Sequence, residues 1–388
     1  MTVGTAPLHR RVRRVLAAAL AGVLVGAPVS AAVAAAGQTV GPGTVLTRVR
    51  QAGPGGPIEA YVLRVNLADP AVRAGLLYPG VISAVRTVST MARLQGAFAA
   101  VNGDFFNIGA SDAPVGPVVT GGQLIKAPQP GRALAAGVGI DGVGRISTVR
   151  LHGFVELPGG RTALSDLNDA NPGYAPMLAP NGIGLFTSTW GTYARAGAVR
   201  GVRSVTEVLV RRGRVASIRH HAGAGAIPAG SYVLLGAGRG ARALAGLHVG
   251  EDVSVDYRQS TPAPVPFRFA IGGKYRLLRS GAVQSDLPVA PGAPRTAIGF
   301  SHGGHILYLV VTEGSETGVP GVDLPQLAQF MRDLGVRDAV DLDDGGSATI
   351  VVRLPGRAGL TLLNRPADGS EREVANGVGL FAATTSRG

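Results

Sequence analysis

Two segments combine carboxylates with glycine at the end of an apolar run. One is Asp343-Asp344-Gly345-Gly346-Ser347, after Ala339–Leu342; the other is Asn102-Gly103-Asp104-Phe105-Phe106-Asn107, after Ala97–Val101. Carboxylates can take a proton from water or attack an electrophilic carbon. Glycines beside them leave backbone N–H groups open to an anion. Glu313 and Arg295 lie in the same C-terminal third as the first segment, and Asn364-Arg365 follow it. A guanidinium can grip a phosphate with two parallel hydrogen bonds. Arg295, Glu313, Asp343, Asp344, Gly345, Gly346 and Asn364 together offer what a phosphate- or sugar-handling site requires.

Each signal also has a plainer reading. Asp343-Asp344-Gly345-Gly346 can be a turn after a strand, and Asn102-Gly103 is a common hairpin dipeptide. Arg295 can be a surface residue paired to Glu313, with little consequence. Asp341, Asp343 and Asp344 suggest a metal, but strand alternation sends Asp344 away from the other two. An EF-hand loop fails, because Val352 stands where its closing glutamate belongs. No metal and no cofactor are expected. His302 and His305 flank Gly-Gly at a hairpin tip, and His220-His221 follow a strand; all four read as solvated. Trp190 fits either a sugar-stacking platform or the core.

The elements that must bring these residues together can be read from pattern. Thr296–Phe300 and Ile306–Thr312 are apolar strands forming a hairpin, which places Arg295 beside Val311–Glu313. Asp323 caps a helix with Leu324, Leu327, Ala328, Met331 and Leu334 on one face; Pro325 fits its first turn and Gly335 stops it. Ala339–Leu342 is the next strand. The simplest strand–helix–strand unit over 306–342 gives parallel neighbours, whose carboxyl ends share an edge. Glu313 and Asp343 then emerge together, in the kind of crevice that ligands favour. A hairpin of Thr349–Leu354 and Gly359–Leu363 returns the chain to Asn364. Elsewhere a helix is expected over Ser83–Leu94 and a hairpin at Val205–Val210 and Arg214–Ile218. Residues 115–164 and 231–285 read as short strands. The expected fold class is α+β: β-rich mixed sheets with a few short helices in one domain, without fixed-period repeats.

Composition agrees. Of 388 residues, 59 are glycine and 26 proline, 46% are hydrophobic and none is cysteine. That composition excludes a disordered chain, a disulfide scaffold and a cysteine-zinc fold. The formal charge of +13 comes from 37 basic residues, of which only Lys126 and Lys274 are lysines. This arginine skew, with the Ala/Gly load, matches the coding bias of a GC-rich bacterium. The arginines are scattered without interleaved aromatics, so no nucleic-acid partner is expected. Arg10, Arg11, Arg13 and Arg14 precede an apolar stretch, Val15 to about Val29, and small residues run to Ala36 with Ala-x-Ala sites. Residues 1–36 therefore read as a signal peptide, and the chain as secreted, without membrane insertion after cleavage. The alternative is an uncleaved anchor, since Val15–Ala36 could just span a bilayer. Residues 37–44 read as a Gly/Pro linker and 45–384 as the catalytic domain.

Taken in order, several segments resemble the phosphodiester glycosidase family. They are Val101–Asn107, Asn181–Phe186 with Trp190-Gly191, Ile227–Leu234, Ala270–Gly273, Pro294–Gly299, Asp341–Thr349, Asn364-Arg365-Pro366 and Val374–Gly377. The resemblance covers about residues 45–383. It implies a hydrolase that cleaves the sugar C1–O bond of a glycosyl phosphodiester; the animal member of the family removes N-acetylglucosamine in this way to uncover mannose 6-phosphate. In a bacterial exported chain the expected substrate lies in wall or extracellular polysaccharide. Two departures stand out: Asp344 replaces a usual third glycine, and Lys274-Tyr275 follow Gly272-Gly273 where small residues are commoner.

The residues expected to act in catalysis are Asp343, Glu313 and Asp104. Those expected to bind substrate are Arg295, Thr296, Asn102, Gly345, Gly346, Ser347, Asn364 and Arg365, with Arg295 as the phosphate clamp. Two other classes of function remain open on sequence: a metal-dependent phosphodiesterase cleaving P–O, and a non-catalytic polysaccharide-binding protein.

Overall fold

The computed structural model describes residues 1, 33–34, 36–53, 56–171, 178–314 and 318–383. The expected signal peptide lies outside the described residues over 2–32, as does the domain end at 384. Among the described residues no helix is long and apolar enough to cross a membrane.

The architecture is β-rich, with four sheets and three short α-helices among the described residues. A nine-stranded sheet is built around Thr44–Gly53, Gly56–Asn66, Ile306–Thr312, Thr296–Phe300, Asp338–Asp341 and Arg276–Arg279, in that order. A five-stranded sheet runs Thr361–Leu362, Ile350–Val352, Ala99–Asn102, Gly377–Ala382, Val72–Leu77. Another five-stranded sheet holds Phe267–Gly272 between Leu134–Gly139 and Val118–Thr120. The fourth has seven strands and contains Ile183–Thr187 and Ser231–Ala237. Inward residues from all four meet in one core, including Leu63, Val101, Ile271, Ile298, Val340 and Val378, with Trp190 fully buried among them. Trp190 is thus a core residue, and its indole N–H is satisfied by the Tyr193 carbonyl at 2.9 Å.

The helices cover outer faces. Helix α1 (Val88–Gln95) starts later than its apolar spacing suggests, because Thr87 caps it by accepting from the Thr90 N–H; Gly96 ends it at φ 76°. Its buried Val88 and Met91 pack on the Ala99–Asn102 sheet. Helix α2 (Arg239–Ala245) sits where only strands were expected. Its two-residue apolar contacts are too sparse to give a helical period. Helix α3 (Leu324–Asp333) has the expected cap, completed into a capping box by Gln326. Its Leu327, Phe330 and Met331 bury against the nine-stranded sheet, each contributing on the order of 2 kcal/mol. Gly299 permits that approach, since a Cβ there would meet Met331 and Val336.

Two expectations change. The 37–44 segment is no linker: Gln38–Gly41 pairs antiparallel with Thr44–Gly53, turned by Pro42-Gly43. Backbone pairing within the sheet outweighs the Gly/Pro turn signal. Strands 306–312 and 338–341 are parallel as expected but not adjacent, because Thr296–Phe300 lies between them, antiparallel to both. The outcome for the site is the same. The start of the middle strand and the ends of its two neighbours share one sheet edge.

Candidate active site

Three sheet edges converge on one place. The nine-stranded sheet brings Arg295-Thr296, Thr312-Glu313 and Asp341–Asp343. The Ala99–Asn102 sheet brings Asn102–Asp104, Thr349 and Asn376. The Phe267–Gly272 strand brings Gly272-Gly273 and is followed by Lys274. The first two edges are stapled together. The Asp343 N–H donates to the Gly103 carbonyl at 2.8 Å, and Asn102 Nδ2 donates to the Asp343 carbonyl at 2.7 Å.

Asn102 is fully buried and its amide is committed to protein. Its Oδ1 accepts from Thr296 Oγ1 (2.7 Å) and the Thr349 N–H (3.0 Å). Asn364 is likewise internal: its Oδ1 accepts from the Ile350 N–H and its Nδ2 donates to the Ala348 carbonyl. Asn102, Thr296 and Asn364 therefore hold the turns in place rather than face a ligand.

Asp104 and Asp343 are the carboxyls the fold brings into one electrostatic field. Asp104 is 2% exposed. Burial pushes it up to about 7, the Asp343 charge adds to this, and the Gly116 N–H at 2.6 Å opposes it. Its own N–H donates to Asn376 Oδ1 at 2.8 Å. Glycine is required on both sides of this carboxyl: a Cβ on Gly116 or Gly272 would overlap Asp104 Oδ2. Asp343 is half-buried, and burial pushes it up to about 6, against a hydrogen bond from Ser347. Asp341 is buried and pushed up to about 7; its Oδ1 accepts the Lys274 and Tyr275 N–H groups while Oδ2 has no partner.

Glu313 reaches the shared edge, as expected, but answers to other charges. Its Oε2 accepts the Arg365 N–H at 3.2 Å, and the charges acting on it are Arg48, Glu59 and Arg365. Burial raises it above the ordinary glutamate range. Asp104, ranked behind it on sequence, feels the Asp343 charge, whereas the carboxylate acting on Asp343 itself is Asp344.

Arg295 also differs from expectation. It is buried, and its Nη1 is ion-paired to Asp344 rather than to Glu313. Nε donates to the Val322 carbonyl at 3.1 Å. The residue expected to grip phosphate already holds an internal carboxylate. The Gly345 N–H is taken by the Pro294 carbonyl, so Gly346 is the remaining backbone donor of that turn. Other cations surround the carboxyl pair. Arg372 acts on Asp343 and pairs with Asp368 at 2.7 Å. Arg132 acts on Asp104, and Lys274 acts on Asp341. Among the described residues neither Arg132 nor Lys274 is ion-paired. Lys274 Nζ lies 5.2 Å from the Phe105 ring centroid.

Arg132, Arg372 and Gly116 carried no signal in the sequence, because nothing in their local pattern places them near a carboxylate. Gly272 and Asn376 lay within motifs already noted, but their purpose appears only when three sheets meet. His220, His221, His302 and His305 are exposed, as read. Among the described residues no three His, Cys, Asp or Glu side chains gather as a metal-holding group.

Comparison with known proteins places this geometry. The family model described as phosphodiester glycosidase matches residues 204–381. The match includes Arg295, Glu313, Asp343 and Asn364, whereas Asn102 and Asp104 precede it. No curated protein matches the chain. A hypothetical protein from Synechocystis has a similar structure, with TM-score 0.70 and 23% identity over 88% of this chain. The chain spans 62% of that protein's length. A Burkholderia pseudomallei protein named for its expected export is similar at TM-score 0.71 and 18% identity, over 93% of this chain and 98% of that one. These two likenesses establish the fold. The catalytic domain of zebrafish N-acetylglucosamine-1-phosphodiester alpha-N-acetylglucosaminidase, auto-inhibited by its pro-peptide, aligns at TM-score 0.46 and 15% identity, over 92% of this chain and 85% of that one.

Proposed function

We propose that this chain is an exported hydrolase that cleaves the sugar C1–O bond of a glycosyl phosphodiester in wall or extracellular polysaccharide. One observation carries the reading: where three sheet edges meet, burial pushes Asp104 up to about 7 and Asp343 up to about 6, and the Asp343 charge adds to the shift on Asp104. Such a pair can hold and release a proton near neutral pH. The family match and the arginine-rich leader support the substrate class and export.

The chemistry asks little of an acid. An ordinary glycosidase must protonate a sugar alkoxide. A departing phosphate monoester has a second pKa of about 6 and leaves as an anion. Cations can stabilise it instead: Arg132 acts on Asp104, Arg372 on Asp343, and Lys274 on the adjacent Asp341. Arg295 can join them only by releasing Asp344. Asp343, the more accessible carboxyl, takes the proton from the attacking water or attacks C1 itself. Asp343, once ionised, favours the protonated form of Asp104, which leaves Asp104 as the proton-holding carboxyl of the two. Glu313 and Arg365 flank the site on the other side, while Asn102, Thr296, Ser347 and Asn364 keep the turns in register.

The test is hydrolysis of defined sugar-1-phosphodiesters in ¹⁸O-labelled water, followed by mass spectrometry. Label on the sugar is expected. Label on the phosphate would assign P–O cleavage, and no turnover would assign a binding protein.

A further inference from the structure

A cavity of about 670 Å³, walled on one side by residues of the 127–134 loop, lies outside the site just described. Its volume falls within the usual range for small-ligand pockets. Polar residues in its wall include Gln129, Thr148, Arg150, Ser165, Asp166 and Asp169. Lys126 is completely buried behind the wall, paired to Asp169 at 3.1 Å and donating to the Ala127 carbonyl at 2.7 Å. Gln129 Nε2 donates to the other Asp169 oxygen at 3.3 Å. Asp169 is therefore satisfied by protein.

Asp166 is not. It is 6% exposed, and only its Oδ1 has a protein partner, the Leu167 N–H at 2.8 Å. Its second oxygen has none, and the residue lines the cavity. Burial lifts both carboxyls, Asp166 the more, because Lys126 sits on Asp169 and the Asp169 charge faces Asp166. That oxygen opens onto the cavity, so a ligand group entering there meets an uncommitted carboxyl oxygen.

The wall chemistry selects the ligand. Asp169 is already neutralised by Lys126, so the wall offers an incoming anion only Arg150, at an exposed position. A proton-holding carboxyl both donates and accepts, which suits a hydroxyl. The chain itself links the cavity wall to Asp104. The Gln129 N–H bonds the Val115 carbonyl at 2.9 Å, and the next residue, Gly116, bonds Asp104. Arg132, in the same 127–134 loop, acts on Asp104.

We infer that this cavity is a binding site for a neutral saccharide unit, with Asp166 as the group that receives its hydroxyl. It extends the hydrolase reading by giving the glycan a second foothold. Its test reads binding without turnover, so the two fail separately.

The experiment presents immobilised neutral oligosaccharides of hexose, N-acetylhexosamine and 6-deoxyhexose to the full chain and three variants, with inorganic phosphate as competitor. Wild type and Asp343→Asn should retain the same glycans, unaffected by phosphate. Asp166→Leu should weaken retention on the order of tenfold or more, the loss of one hydrogen bond to a buried group. Thr148→Trp, at a half-exposed position, should fill the cavity and abolish retention even if Asp166→Leu fails to fold. The inference is overturned if no neutral glycan is retained by wild type. It is equally overturned if Thr148→Trp leaves retention intact, or if phosphate competes for the same site.

Discussion

Asp104→Asn should stabilise the protein at alkaline pH while abolishing turnover. Asp104 moves from an ordinary 3.8 to about 7 on folding. At 1.36 kcal/mol per unit, that is a penalty of about 4 kcal/mol on the charged form. The sign follows from proton uptake. Between the unfolded and folded values, the native carboxyl keeps a proton that the unfolded one has released, so stability falls as pH rises through this window. Asparagine cannot titrate and escapes the loss. It can still accept from the Gly116 N–H through Oδ1. The variant should therefore gain on wild type by about 2–3 kcal/mol between about pH 5 and about pH 8. Urea denaturation of both proteins at the two pH values reads this directly, as a relative midpoint shift approaching ~1 M for an m-value of about 3 kcal/mol/M. Turnover of an aryl phosphodiester glycoside is measured alongside. A difference in stability that stays flat with pH would refute the burial argument, and an active Asp104→Asn enzyme would refute the site.

Other expectations follow from the same geometry. Asp343→Asn should lower kcat by about 100-fold or more, and in wild type the acid limb of the kcat profile should fall near the Asp343 value of about 6; a limb at the ordinary carboxylate range would count against it. Asp344→Asn should release Arg295 and strengthen inhibition by inorganic phosphate, and unchanged inhibition would show that Arg295 does not face the ligand. Gly272→Ala should cut activity and lower the melting temperature together, because its methyl overlaps both the Asp104 carboxyl and the Gly116 backbone; circular dichroism melting beside kinetics reads both, and an unchanged melt would count against this packing.

The sequence made much of this legible because the relevant signals were local. Asp323 and Gln326 wrote the cap of α3, and the apolar runs at 296–300 and 306–312 with a short link could only pair back on themselves. Their pairing alone set Arg295 beside the end of the second strand. The carboxylate-glycine turns announced themselves by type. Local pattern failed where two signals competed: Pro42-Gly43 read as linker but turned a hairpin, and Arg239–Ala245 lacked a period yet wound into a helix over buried Gly240 and Leu244.

Tertiary structure decided which charges meet. Asp104 and Asp343 are 239 positions apart, and only the meeting of separate sheet edges puts them in one field. No sequence period encodes that distance. The same convergence gave Arg295 to Asp344, Glu313 to the Arg365 backbone, and Asp104 its two flanking glycines. A residue's type and spacing settle what chemistry it can do. Its protonation and its partner depend on burial and on charges from distant strands, which exist only once the chain has folded.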